Sequence, residues 1–186
     1  MTGKMFAGFV VVLAVVLCVP VAAAAQSAPK GDFALFYSAV NDDDMDETFT
    51  AGGGLSFGVY VTPWLGLVAD VSAHTKSVED SGATADMTFA SALGGIRLGR
   101  LSGKARPFVQ VLTGATRAKV AMSIGSISFD ESKDFFTIQP GAGVDIGVTD
   151  SIGIRIQADY RNVQHGNKWK AQYRGVAGVV FAFGSR

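Results

Sequence analysis

The chain has 186 residues, of which 48% are hydrophobic and 17% are charged, and its 16 basic residues equal its 16 acidic residues in number. This length suits a single domain, and the composition is too apolar for a disordered chain. Because there is no basic excess to hold a phosphate backbone, nucleic acid is excluded as a partner.

Residues 1–25 predict a secretory signal peptide that is cleaved from one domain at residues 26–186. A basic residue stands near the start, residues 6–19 form an apolar run, and Ala23–Ala25 provide a small-residue cleavage site. The run is too short for a membrane-anchor helix, which needs about 20 residues. The single cysteine, Cys18, falls inside the removed segment. The mature domain is therefore expected to lack disulfides and thiol chemistry.

From residue 32 onward, apolar and polar side chains alternate, which is the pattern of half-buried β-strands. The alternation is clearest where Ile154 and Ile156 are interleaved with Arg155 and Gln157. It predicts eight strands, in chain order at residues 32–40, 49–61, 65–76, 85–98, 107–120, 138–148, 152–161 and 173–183. Strands in soluble proteins average roughly 5–6 residues, whereas about 9–11 residues cross a bilayer. The predicted strands therefore have the length of membrane-spanning strands.

The predicted connections alternate between short and long. Short turns fall at residues 62–64 and 149–151, and the longer polar segments are residues 41–48, 77–84, 118–134 and 164–168. Short turns on the periplasmic side and longer loops outside are typical of a membrane barrel. Residues 99–106 are an exception, because they are long but fall on the short-turn side. In the longest segment apolar residues alternate with serines, so it is either a loop or a hairpin that continues beyond the membrane.

The two faces of the predicted strands differ in residue size. One face carries large aliphatic and aromatic residues, and the other carries many glycines and a few charges. Glycine suits the crowded inside of a narrow barrel, whereas a water-facing surface favours larger polar residues. The pattern therefore favours an all-β, eight-stranded, antiparallel up-and-down transmembrane barrel over a soluble sandwich or lipocalin-like barrel. Aromatic residues near strand ends are expected to form interfacial girdles, namely Tyr37, Trp64, Phe108, Trp169, Tyr173, Phe181 and Phe183.

Four segments carry a family resemblance: Arg106–Val111, Gln139–Val148, Ile154–Arg161 and Gly178–Gly184. They are similar to the small outer-membrane β-barrel family of Gram-negative bacteria, the OmpA-like and OmpX-like barrels. The resemblance implies an outer-membrane location after secretion to the periplasm, contact with outer-membrane lipid and lipopolysaccharide, and insertion by the barrel assembly machinery. Family members usually end in an aromatic residue that this machinery recognises, whereas here three residues follow Phe183.

Six charged residues are predicted to face the lumen and to balance one another. They are Asp70, Asp145, Asp159, Arg155, Arg161 and Arg174. Eight strands leave an interior that side chains just fill, so charges there must pair. The set predicts an interlocking salt-bridge plug, with a gated proton or ion path as the alternative.

Five carboxylates crowd the first predicted loop. They are Asp42, Asp43, Asp44, Asp46 and Glu47. An EF-hand needs glycine at the sixth position of the loop and glutamate at the twelfth, and this segment has neither. We interpret it as a solvated extracellular loop that makes at most loose divalent-cation contacts near lipopolysaccharide, and no metal site is predicted.

No catalytic motif and no cofactor site is predicted. Ser72 and His74 lie two residues apart on one strand face, which leaves a lipid-active outer-membrane enzyme as an alternative function. The favoured function is a non-enzymatic barrel with a closed lumen that supports the envelope or binds an extracellular ligand through its loops. A soluble periplasmic carrier of apolar ligands is the third hypothesis.

Overall fold

The structure, a computed structural model, describes residues 29–42, 47–49, 51–80, 83–124, 127–166 and 168–185. These contain the strands β1 (Pro29–Asp42), β2 (Glu47–Phe49), β3 (Ala51–Tyr60), β4 (Leu65–Asp80), β5 (Ala83–Gly99), β6 (Ala105–Ile124), β7 (Ile127–Gly147), β8 (Ile152–His165) and β9 (Lys168–Ser185). Within this part of the chain, no helix has the length and hydropathy needed to span a membrane. The predicted signal peptide lies outside the described residues.

The strands close into an antiparallel barrel. β1 pairs with β3, each strand from β3 to β8 pairs with the next strand along the chain, and β9 pairs with β1, so eight strands form a ring. The short strand β2 pairs only with the outer end of β1, from Val40 opposite Phe49 to Asp42 opposite Glu47. The predicted up-and-down barrel is thereby confirmed, and the predicted strand 49–61 corresponds to the end of β2 together with β3.

The polarity of the barrel wall is the reverse of that in a soluble protein. Ile156 and Leu67 point outward with 54% and 59% of their surface exposed, whereas Arg155 and Asp70 point inward with 1% and 2% exposed. Exposing large aliphatic side chains all around a barrel is unfavourable in water and favourable in lipid. The outer face therefore forms an apolar band for the bilayer.

The strands continue further outward than the sequence predicted. Residues 77–84 were expected to be a connection, but β4 pairs with β5 as far as Asp80 opposite Ala83. Residues 118–134 were expected to be either a loop or a continued hairpin, and the hairpin is found, because β6 pairs with β7 as far as Ile124 opposite Ile127. β6 and β7 have 20 and 21 residues, about twice the length that crosses a bilayer. The outer parts of β4 to β7, residues 76–80, 83–88, 117–124 and 127–134, therefore project beyond the apolar band. We call them the projecting sheet.

The opposite end of the barrel carries the short turns. Val61–Trp64 and Val148–Ser151 are tight, and the turn between Gly99 and Ala105 is shorter than predicted because both flanking strands extend into it. Its Gly103 has a φ of 95°, a left-handed conformation that glycine adopts readily. By its short turns this is the periplasmic end.

Candidate functional site: the charged lumen

A cluster of ion pairs crosses the lumen near the periplasmic end. Asp32 on β1 accepts from Arg97 on β5 at 3.2 Å and from Arg155 on β8 at 3.1 Å. Arg155 also holds both oxygens of Asp145 on β7, at 2.7 and 2.9 Å. β1 and β5 lie three strands apart around the ring, so these contacts run across the lumen rather than along the wall. We call these four residues the inner network.

Neutral side chains complete the hydrogen bonding of the inner network. The Tyr60 hydroxyl donates to Asp32, and Arg155 Nη1 donates to the hydroxyl of Ser56 on β3 at 3.1 Å. Arg97 donates from Nε and Nη2 to Gln110 Oε1, at 3.0 and 2.8 Å. The Phe108 ring lies 4.3 Å from the Arg97 guanidinium carbon, a cation–π contact.

A second cluster lies closer to the outer end and is centred on Arg174 of β9. Arg174 donates to both oxygens of Asp70 on β4, each at 3.1 Å, and to Asp159 on β8 at 2.8 Å. It also donates to Ser72 at 3.2 Å, and Gln157 donates to both oxygens of Asp159 at 2.9 Å. Arg174, Asp70 and Asp159 form the outer network. β9 and β4 are three strands apart in the ring, so this cluster also crosses the lumen.

A small apolar cluster and close strand contacts adjoin the outer network. Val68 on β4, Leu93 on β5 and Leu112 on β6 pack together, each at most 4% exposed, and Leu93 is directly opposite Asp70 of the outer network. Gly141 lets Asp159 approach the wall, because a Cβ there would lie 1.9 Å from Asp159 Oδ1. The glycine-rich inner face predicted from the sequence is thus what lets charged side chains fill a narrow lumen.

Other lumen side chains are also polar and buried. The hydroxyls of Ser91, Thr116 and Thr137 form a ladder at 3.1 and 2.8 Å. Arg161 Nε donates to Gln139 Oε1 at 2.9 Å, and neither Arg161 Nη2 nor Gln139 Nε2 has a partner among the residues that the structure describes. Hydrogen bonds thus line the outer lumen even where charges do not pair.

Side chains line the periplasmic end of the lumen. Leu101, from the turn between β5 and β6, is only 7% exposed and lines a cavity with Phe108 and Val180. The cavity has a volume of about 10 Å³, which is close to the space that one water occupies. Phe108 was expected in an interfacial girdle, and that expectation is wrong. It occupies a lumen-facing position of β6 between Arg106 and Gln110, and is 4% exposed.

The sequence predicted most, but not all, of the charged residues in the two lumen networks. Of the six predicted lumen residues, Asp70, Asp145, Asp159, Arg155 and Arg174 lie in the two networks, whereas Arg161 meets Gln139 and no carboxylate in the described part of the chain. Sequence reasoning missed Asp32 and Arg97. Each is flanked by large apolar residues, Phe33 beside Asp32 and Ile96 beside Arg97, so the same alternation could have found both.

The remaining candidates lie elsewhere. Asp42 and Glu47 are opposite each other in the β1–β2 ladder, and the other three carboxylates of the acidic cluster, at positions 43, 44 and 46, fall outside the described residues. Ser72 and His74 both face the lumen with 2% and 1% exposed. Ser72 accepts from Arg174, while His74 Nε2 is 2.8 Å from the hydroxyl of Ser38. Ser72 and His74 therefore lie away from the lipid-facing wall.

With this architecture established, the comparisons with known proteins agree on its class. A family model described as the outer membrane protein beta-barrel domain matches residues 9–183. The chain belongs to this family. It is an outer-membrane protein of the Gram-negative type. No curated protein matches the chain.

Three solved structures illustrate the shared fold. Ail, the attachment invasion locus protein of Yersinia pestis, is 18% identical with a TM-score of 0.54, and the match covers 84% of this chain and 99% of Ail. The N-terminal barrel of Pseudomonas aeruginosa OprF is 14% identical with a TM-score of 0.54, covering 85% and 100%. Neisserial surface protein A is 14% identical with a TM-score of 0.59, covering 82% and 96%. At these identities the likeness establishes the fold alone.

Proposed function

We propose that this chain is a non-enzymatic outer-membrane barrel that is closed to solutes and acts through its projecting sheet. The single observation that carries the proposal is the pair of ion networks across the lumen. Arg155 joins β8 to β1 and β3, and Arg174 joins β9 to β4. A solute would have to break both networks and displace the buried Leu101 side chain at the periplasmic end of the lumen. Each step would leave buried charges unpaired, which is strongly unfavourable.

The position of the hydroxyl and imidazole groups supports a non-enzymatic role. A lipid-modifying enzyme needs its nucleophile and base at the surface that lipid reaches. Ser72 and His74 are buried in the lumen, and their hydrogen bonds go to Arg174 and Ser38 rather than to each other. Mass spectrometry of lipid A from cells with and without the protein tests this point. We expect identical lipid A profiles, and a modified species found only in expressing cells would overturn the non-enzymatic part.

The projecting sheet offers the surface for an extracellular partner. β7 pairs with β6 along its whole length, but in the described part of the chain its ladder to β8 reaches outward only as far as Thr137 opposite Val163. Residues 127–134 of β7 thus present a strand edge outside the membrane. Such an edge can add a strand from a partner through main-chain hydrogen bonds.

Solute uptake tests the closed lumen, and ligand retention tests the surface role. Proteoliposomes containing the folded barrel should swell in arabinose no faster than empty liposomes.

Heparin is a reasonable first ligand, because Ail has been crystallised with the heparin analogue sucrose octasulfate. The five carboxylates of the first loop should weaken such binding unless Ca²⁺ is present. We expect heparin beads to retain wild type better with Ca²⁺, and a variant lacking residues 123–128 less well than wild type.

A further inference from the structure

Arg161 is a buried cation whose hydrogen bonding is incomplete. Its side chain lies on β8 in the outer half of the lumen and is 1% exposed. Nε donates to Gln139 Oε1 at 2.9 Å, but within the described part of the chain Nη2 has no partner, and neither has Nε2 of the fully buried Gln139. Buried N–H groups, and above all charged ones, are expensive to leave unpaired.

Two other arginines show which acceptors the Nε and Nη2 edge of a guanidinium binds in this protein. Arg155 and Arg117 each point Nε and Nη2 at the two oxygens of an aspartate on β7, at 2.7 and 2.9 Å for Arg155 and 2.7 and 2.8 Å for Arg117. Arg161 directs the same edge toward β7, where Gln139 stands in the register set by Ile138 opposite Asn162 and Gly141 opposite Asp159. A glutamine supplies one oxygen and one N–H₂ group instead of two oxygens. Arg161 Nη2 and Gln139 Nε2 are therefore two donors without an acceptor among the described residues.

We propose that a monovalent anion the size of chloride binds at this position, accepting from Arg161 Nη2 and Gln139 Nε2. The nearby carboxylates are directed elsewhere, because Asp70 accepts from Arg174 with both oxygens and Asp159 accepts from Arg174 and Gln157. A halide accepts from both groups and requires no acceptor of its own. A water would need further acceptors for its two hydrogens.

Anomalous diffraction from protein refolded in sodium bromide locates the ion directly. Refolding, rather than soaking, is used because a closed lumen would exchange slowly. We expect one anomalous peak in the lumen, within hydrogen-bonding distance of Arg161 Nη2 and Gln139 Nε2. Density there without anomalous signal would identify a water and overturn the proposal.

The matched control is Gln139→Glu, which supplies the second oxygen that Arg155 and Arg117 already have. We expect this variant to fold and to lose the bromide peak, because the carboxylate pairs with both edge nitrogens of Arg161. A peak that persisted in the variant would overturn the assignment.

If crystals of the variant are not obtained, thermal unfolding in detergent gives the second readout. Replacing sodium gluconate by sodium chloride at constant ionic strength should raise the wild-type midpoint by a few degrees and leave that of Gln139→Glu unchanged. Equal responses of the two proteins would contradict the site.

Discussion

The lumen and the projecting sheet contain nearly the same ion pair in opposite environments. Arg155 holds Asp145 through two hydrogen bonds of 2.7 and 2.9 Å, and Arg117 holds Asp134 through two of 2.7 and 2.8 Å. Both pairs join neighbouring positions of adjacent strands. The side chains of the first pair are 1% and 7% exposed, and those of the second are 64% and 57% exposed.

The comparison shows that geometry alone does not determine what an ion pair contributes. Exposed pairs are weakened by solvent and by the side-chain entropy that they cost. Removing one partner of a buried pair leaves a charge with neither water nor counter-ion, which is far more destabilising. The two pairs should therefore respond very differently to mutation, although their distances match. The lumen pairs join strands across the barrel interior, whereas the outer pair lies on an exposed surface.

The largest effect is expected at Asp32, which serves two arginines. Asp32→Asn keeps the side-chain shape but removes the charge that Arg97 and Arg155 share. We expect the free energy of unfolding, measured in urea from liposomes, to fall by about 3–5 kcal/mol. Adding Arg97→Gln should recover part of the loss, because it removes one of the two positive charges. An unchanged unfolding midpoint in the single variant would mean that the lumen charges are hydrated and that the two environments do not differ.

The second prediction compares a lipid-facing position of β8 with the neighbouring lumen-facing position. Ile156 points to lipid midway along β8, and its neighbour Gln157 points into the lumen. Ile156→Arg should lower the free energy of unfolding by about 2–4 kcal/mol, because it places a charge near the bilayer midplane. Gln157→Ala should cost much less. Equal costs for the two substitutions would contradict the assignment of faces.

A smaller effect is expected from shortening the projecting sheet. Deleting residues 123–128 removes the outer end of the β6–β7 hairpin, far from both lumen networks. The barrel should still migrate as a heat-modifiable band on gels, because the apolar band and the ion networks are intact. Loss of the folded band would show that the projecting sheet is part of the stable wall rather than an appendage.

The smallest effect concerns Arg117 and Asp134. The hydrogen bonds from Arg117 hold the pKa of the Asp134 carboxyl below its usual value. Any stability from this pair is present above the unfolded-state pKa and is lost as the pH falls through the lowered folded-state pKa. NMR titration should show the Asp134 pKa returning toward its usual value in Arg117→Ala, while the urea midpoint at neutral pH stays the same. A clear loss of stability at neutral pH would break the contrast with the lumen pairs.

Alternation in the sequence predicted the barrel and which side chains face inward, because every second residue of a strand lies on the same face. It placed Asp70, Asp145 and Asp159 in the lumen. The partners of each charge could not be predicted, since Arg155 reaches a residue 123 positions away and which strands face each other depends on ring closure.

Two local features also escaped the sequence. For the outer ends of β6 and β7 the sequence left a loop and a continued hairpin open, because alternation beyond the length that crosses a bilayer does not by itself decide between them. Phe108 was misplaced because its position near a strand end resembles that of a girdle residue, although it lies between the lumen-facing positions of Arg106 and Gln110.

Planar-bilayer recording of the purified, folded barrel tests the central claim most directly. If the inner and outer networks close the lumen, wild type should show no stable large conductance. Asp32→Asn provides a variant in which one network is broken and against which leakage can be judged. A steady porin-like current from folded wild-type protein would contradict the closed lumen and the function proposed from it.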